Sequence, residues 1–116
     1  MSLKRLGDPS VIADAVIHNN IVYLAGQVAE DPVSASVYEQ TKNILGQIDA
    51  LLKEAGTDKT KIIKTNIWLS DISTFQDMNK AWKEWVVKGE APARATVEAK
   101  LADPKWKVEI MMTAAI

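Results

Sequence analysis

The sequence contains no cysteine and a single histidine, His18. The first absence excludes a disulfide framework, a thiolate nucleophile and any Cys-ligated metal centre, and one imidazole leaves too few soft ligands for structural zinc. No metal and no cofactor is expected. No apolar run approaches the roughly 18 residues that mark a membrane span, and the N-terminal stretch carries Lys4, Arg5 and Asp8 with no apolar segment behind them. Neither a membrane span nor a targeting leader is read, and a cytoplasmic setting is expected. An excess of one charge is missing too: 14 Lys and Arg against 15 Asp and Glu leave a formal net charge of -1. The basic residues are scattered, so nothing makes the electrostatic footprint that nucleic-acid binding needs.

What is present reads as an ordinary folded chain. Its 116 residues suffice for one core and not for two, so a single domain over 1–116 is expected. The apolar share of 47% and charged share of 25% are those of globular proteins rather than of disordered segments.

Ala15-Val16-Ile17-His18 and Ile21-Val22-Tyr23-Leu24-Ala25 are β-prone runs separated by Asn19-Asn20, a pair that tolerates the positive φ of a tight hairpin turn. Glu30-Asp31-Pro32 signals a turn. Beyond it Val37, Thr41, Leu45, Ile48, Leu52 and Ala55 recur three or four residues apart, which predicts an amphipathic helix stopped by Gly56. Over 61–69, Ile63, Thr65, Ile67 and Leu69 alternate with Ile62, Lys64, Asn66 and Trp68, the period of a strand with large apolar groups on both sides. Ser73-Thr74-Phe75-Gln76 fits a capping box and predicts a second helix with the stripe Phe75, Met78, Trp82, Trp85 and Val86, stopped by Gly89. Segments 95–101 and 107–115 are further strands, joined by Ala102-Asp103-Pro104-Lys105.

The order ββαβαββ predicts an α/β (α+β) fold, a mixed sheet with both helices on one face, because each helix has only one apolar stripe to bury. The other face carries either Val108, Ile110, Met112 and Ala114 or Glu109, Met111, Thr113 and Ala115. Neither set is composed like a solvated surface, which argues for self-association.

Several residues invite a chemical reading. Arg94 follows Ala91-Pro92-Ala93, which places a guanidinium at the mouth of a strand. Its rigid fork matches a carboxylate or phosphate bidentately, as Lys cannot; the alternative is a surface arginine paired with an internal acid. Glu109 alternates with apolar neighbours, so its carboxylate is liable to partial burial and needs a partner. It either orients or deprotonates a water, or it is an edge residue bonded to a neighbouring strand. Asn79 interrupts the stripe of the second helix and reads as a side chain that orders a loop. His18 flanks the hairpin turn without a triad around it. Trp68, Trp82, Trp85 and Trp106 read as packing rather than as a base-stacking platform, and Gly7 and Gly26 are too isolated for a phosphate loop.

In order and spacing, Val22-Tyr23-Leu24-Ala25-Gly26-Gln27, Thr41-Lys42-Asn43-Ile44-Leu45, Phe75 with Met78-Asn79, Pro92-Ala93-Arg94 and Lys107-Val108-Glu109-Ile110 resemble the RidA (YjgF) reactive-intermediate deaminase family over nearly the whole chain. The resemblance implies a chorismate-mutase-like fold and a homotrimer with ligand sites in the clefts between subunits. It implies hydrolysis of small enamines and imines, such as 2-aminoacrylate and 2-iminopropanoate, to a 2-keto acid and ammonia. Arg94 matches the family's carboxylate-binding arginine, and Glu109 matches the glutamate that helps position the attacking water. Gly26 and Thr96 complete the implied pocket, and Ile12, Ala25 and Asn79 join the implied substrate-binding set.

Ile12 and Ala25 stand where the deaminating members have Tyr and Ser, and the loop after Gln27 is shorter, which marks a divergent subgroup. Loss of two hydroxyls removes partners for the water or the substrate nitrogen. The alternative to a deaminase is therefore a non-catalytic trimer that binds small carboxylates such as 2-keto acids. The ribonuclease activity sometimes attached to this family is disfavoured by the near-neutral charge and the lack of a histidine pair.

Overall fold

Alternating and helical hydrophobic periods sort the chain into strands β1 (Lys4–Leu6), β2 (Ala15–His18), β3 (Ile21–Leu24), β4 (Ile62–Leu69), β5 (Ala93–Glu98) and β6 (Val108–Ala115), with helices α1 (Val37–Ala55) and α2 (Phe75–Trp85). The structure, a computed structural model, describes residues 2–116; Met1, the start of the stretch read as carrying no leader, lies outside the described residues. The strands form one mixed sheet in the order β1-β2-β3-β6-β4-β5. Only β4 and β5 run parallel, joined by the crossover through α2.

The local signals explain most of these elements. Asn19 and Asn20 have φ of 52° and 62°, so both central residues of the hairpin turn take the left-handed conformation that a type I′ turn demands. Ser36 and Glu39 form a capping box at the start of α1, and Gly56, at φ 88°, closes its end by donating to the Leu52 and Lys53 carbonyls. The predicted stripe of α1 is buried from Val37 to Leu52. It packs with Met78 and Trp82 of α2 and with Val22, Leu24, Ile67, Leu69, Val108, Ile110, Met112 and Ala114 of the sheet.

Four expectations are corrected. In β4 the pairing with β6 skips Ile63 at a bulge between Ile62 and Lys64. Ile62 thereby shares the buried side with Thr65, Ile67 and Leu69, while Ile63 is 47% exposed, because a bulge shifts the alternation by one residue. Ser73 does not cap α2: its N–H and hydroxyl both donate to Asp71, at 2.9 and 2.7 Å, closing a short turn ahead of the helix. Helix α2 stops at Trp85 rather than near Gly89, for Val86 is extended and Lys59 Nζ takes up the Trp85 carbonyl at 2.7 Å. Strand β5 spans Ala93–Glu98 instead of 95–101, its length set by register with Lys64 to Leu69; Arg94 stands inside the strand. Strand β1, three residues on the far edge, is an addition that no sequence period announces.

The face of the sheet away from the helices is uncovered. It presents Tyr23, Met111 and Val97, each 38–51% exposed, together with half-buried Trp68. In β6 the helix side takes Val108, Ile110, Met112 and Ala114, and the open side takes Glu109, Met111, Thr113 and Ala115.

Candidate functional site

Arg94 owes its position to the parallel pairing of β5 with β4. Register sets it beside Thr65, which is fully buried, so the arginine leaves the edge strand on the helix side and runs beneath α2. There it meets Phe75, Asn79 and Trp82, spaced i, i+4 and i+7 along one stripe of the helix. The guanidinium carbon lies 5.5 Å from the Phe75 ring centroid and 5.1 Å from that of Trp82. Nη1 donates to Asn79 Oδ1 at 2.8 Å. Burial pushes the arginine pKa down from its ordinary value.

The pairing with an internal acid that the alternative reading of Arg94 requires is not seen in this geometry. Among the described residues no carboxylate neutralises this half-buried cation, and Nε and Nη2 make no hydrogen bond yet are not sealed from solvent. Thr96 projects from the same side of β5, beside Ile67. Its hydroxyl and that of Thr65 are buried without a hydrogen-bond partner, so the surroundings of Arg94 are polar and unsatisfied as well as aromatic.

Glu109 belongs to a second group. Strand β6 lies between β3 and β4, which removes the reading of Glu109 as an edge residue. Opposite Trp68, it is half-buried on the open face. Gly26 lies directly against its carboxylate: a Cβ at that position would collide with Glu109 Oε2 and stand 3.1 Å from Cδ. The missing side chain of Gly26 is what admits the acid. Gln27 and Ile110 exchange backbone hydrogen bonds of 2.8 and 3.0 Å, while Ala25 N–H donates to the Asp14 carbonyl at 2.9 Å. These bonds fix Ala25 and Gly26 beside Glu109; Ile12, two residues before Asp14, is 70% exposed.

The predicted residues thus fall into two constellations. Arg94, Asn79 and Thr96 lie on the helix side of the sheet; Glu109, Gly26 and Ala25 gather at the open face, while Ile12 stands exposed ahead of β2. Two inter-strand steps, roughly 10 Å, and the thickness of the sheet separate Arg94 from Glu109. Among the described residues, one cavity of about 870 Å³ lies between Glu98 and Trp106 and another of about 630 Å³ between Gln27 and α1, and neither is lined by Arg94 or Glu109.

His18 stays in the turn, its Nε2 3.1 Å from the Asn19 side-chain amide. Trp82 is buried and Trp85 donates to Asp49 Oδ2 at 2.9 Å. Among the described residues no group of three or more His, Asp or Glu is placed to hold a metal ion, and no helix is long and apolar enough to cross a membrane. Sequence reasoning missed Phe75 and Trp82 as neighbours of Arg94; the i, i+4, i+7 spacing with Asn79 was the available signal.

The family model described as endoribonuclease L-PSP matches residues 11–116. The chain is 46% identical over 114 residues to a RutC family protein of Haemophilus influenzae, with 98% of each chain covered. It is 33% identical over 116 residues to the 2-iminobutanoate/2-iminopropanoate deaminase of Homo sapiens, with 96% of this chain and 84% of that protein covered. Among solved structures, a member of the YjgF protein family from Neisseria meningitidis superposes with a TM-score of 0.95 at 40% identity, over 99% of this chain and 95% of that one.

Proposed function

This chain belongs to the endoribonuclease L-PSP family, the YjgF/RidA family, and from that premise we propose that it hydrolyses small 2-imino acids to 2-keto acids and ammonia. The observation that carries the reading is Arg94: a half-buried cation with no internal acid and with donors still open to solvent. Taking a charge partly out of water without a partner is costly, and a carboxylate from outside the protein supplies the partner. The relative named a 2-iminobutanoate/2-iminopropanoate deaminase gives that carboxylate a chemical class.

The chemistry asks little beyond positioning. An imine conjugated to a carboxylate is already electrophilic, and holding it still beside a water removes most of the entropic barrier. Arg94 grips the carboxylate. Glu109 takes a proton from the water as the water oxygen bonds to the imine carbon, and passes it to the nitrogen to give a carbinolamine. The carbinolamine hydroxyl then loses its proton to the nitrogen by way of Glu109 as the C=O bond forms and the C–N bond breaks, and the nitrogen leaves as ammonia. Gly26 leaves the room this carboxylate needs, with Ala25, Thr96 and Ile12 bounding the pocket.

One chain does not bring Arg94 and Glu109 to one small molecule, because they project from opposite faces of the sheet. We infer that two copies do: Arg94 of one chain works with Glu109 of the partner subunit, in a homotrimer that covers the open face with Tyr23, Met111 and Val97. RNA is a poor fit to this chain, whose net charge of -1 and scattered basic residues supply little of the electrostatic attraction that a phosphate backbone calls for.

The test is to generate 2-iminopropanoate in the presence of the protein and follow keto acid and ammonia. Faster release is expected. No acceleration, combined with calorimetric binding of pyruvate that disappears in Arg94→Ala, would select a non-catalytic carboxylate binder instead, the reading that the missing hydroxyls at Ile12 and Ala25 favour. For the shared site, Arg94→Ala and Glu109→Gln proteins refolded together should recover part of the turnover that neither has alone; no recovery would place both groups in one chain's site.

A further inference from the structure

We propose that Asn79 is a positioning residue whose neutrality sets the carboxylate selectivity of this site: its amide aims the Arg94 fork without neutralising it. This rests on the carboxylate-binding reading of Arg94.

Position 79 is where α2 meets the guanidinium. Asn79 Oδ1 accepts from Nη1 at 2.8 Å, and the Phe75 and Trp82 rings, four residues before and three after on the same stripe, lie 5.5 and 5.1 Å from the guanidinium carbon. All three neighbours attract a cation, and none bears a full negative charge. A ring face and a carbonyl dipole orient and partly stabilise it. A carboxylate of nearly the same shape at this position would do more: it would form a charge-assisted pair with the fork and occupy the donors an incoming acid needs. The helix therefore supports the arginine with an amide where an aspartate would also fit, and the cation keeps its demand for an anion.

The same arrangement explains why a polar residue interrupts an otherwise apolar stripe. A stripe that only packed would carry an aliphatic residue between Phe75 and Trp82. The amide there fixes which guanidinium nitrogen faces the helix, and so which edge of the fork faces outward. A planar acid approaching that edge meets paired donors, whereas a neutral analogue of the same size meets an unsatisfied cation.

Three proteins decide the matter: wild type, Asn79→Asp and Asn79→Ala, each assayed for pyruvate binding by calorimetry, for KM and kcat on 2-iminopropanoate, and for thermal unfolding. A role in packing alone ranks the near-isosteric Asp above Ala. Neutral positioning reverses that order. Ala should weaken pyruvate binding about tenfold through a loosened fork, and Asp on the order of 100-fold through an internal pair, with Asp at least as resistant to heat as Ala. The loss in Asp should fall on KM and on pyruvate affinity, with kcat changed less, and the ¹⁵Nε resonance of Arg94 should shift towards that of a salt-bridged arginine. An Asp variant that binds pyruvate as well as Ala does, or better, overturns the proposal. A wild-type protein with no Arg94-dependent pyruvate binding overturns the carboxylate reading itself and this inference with it.

Discussion

Arg94→Ala is expected to lower kcat/KM for 2-iminopropanoate by about 10²–10⁴. A bidentate contact is two charge-assisted hydrogen bonds of roughly 1.5–3 kcal/mol each, and every 1.4 kcal/mol is tenfold. Because the side chain serves the bound ground state as well as the transition state, much of the loss should appear as weaker binding, and pyruvate affinity should fall with it. Arg94→Lys is the sharper variant. It keeps the charge and most of the stem, but an ammonium cannot reach the Asn79 carbonyl and present two parallel donors to an acid at once. Lys should therefore recover little, and a Lys variant with wild-type KM would show that charge alone binds the substrate. Stability should change modestly, since the residue lies half-exposed on an edge strand.

Glu109→Gln should leave pyruvate binding close to wild type while kcat drops by about 10²–10⁴, the usual contribution of a positioned general base. The amide is nearly isosteric, so it fits against Gly26 without the collision that a Cβ on residue 26 would cause, and the pairing of β6 with β3 and β4 is untouched. The contrast with Arg94 is diagnostic: one variant fails to bind, the other binds and fails to turn over. A Gln variant that turns over at the wild-type rate would assign water activation elsewhere.

How far these residues could be read from the chain depended on how local their signals are. The hairpin was legible because Asn19-Asn20 carries its own turn geometry, and α1 because nineteen residues of helical period end on a glycine. The three-residue β1 is too short to show a period, and the bulge at Ile63 exists only against Thr113 and Ala114 of β6, about 50 residues on. At the start of α2 two local rules competed, and Asp71 took the Ser73 hydroxyl that a capping box would have used. For the site, Arg94 and Glu109 stood out by residue type, and the resemblance gave them expected roles. Their placement on opposite faces did not stand out: it follows from which residues of β4 face β5 and β6, and that register is set by packing of the whole sheet. Asn79 read as a loop-ordering side chain because its partner lies 15 residues away across a crossover.

Strand β5 is held to the sheet on one side only, by β4. Strands β2, β3, β6 and β4 each have a neighbour on both sides, whereas the arginine is delivered by the crossover onto an edge strand. A molecule in which only this edge strand had frayed would keep Glu109 against Gly26 and would have no grip on an anion. By linkage, whatever acid settles on the guanidinium also clamps that margin shut, so amide hydrogens of β5 should exchange more slowly when ligand is present, and the outermost strand becomes the place where occupancy is felt as local stability.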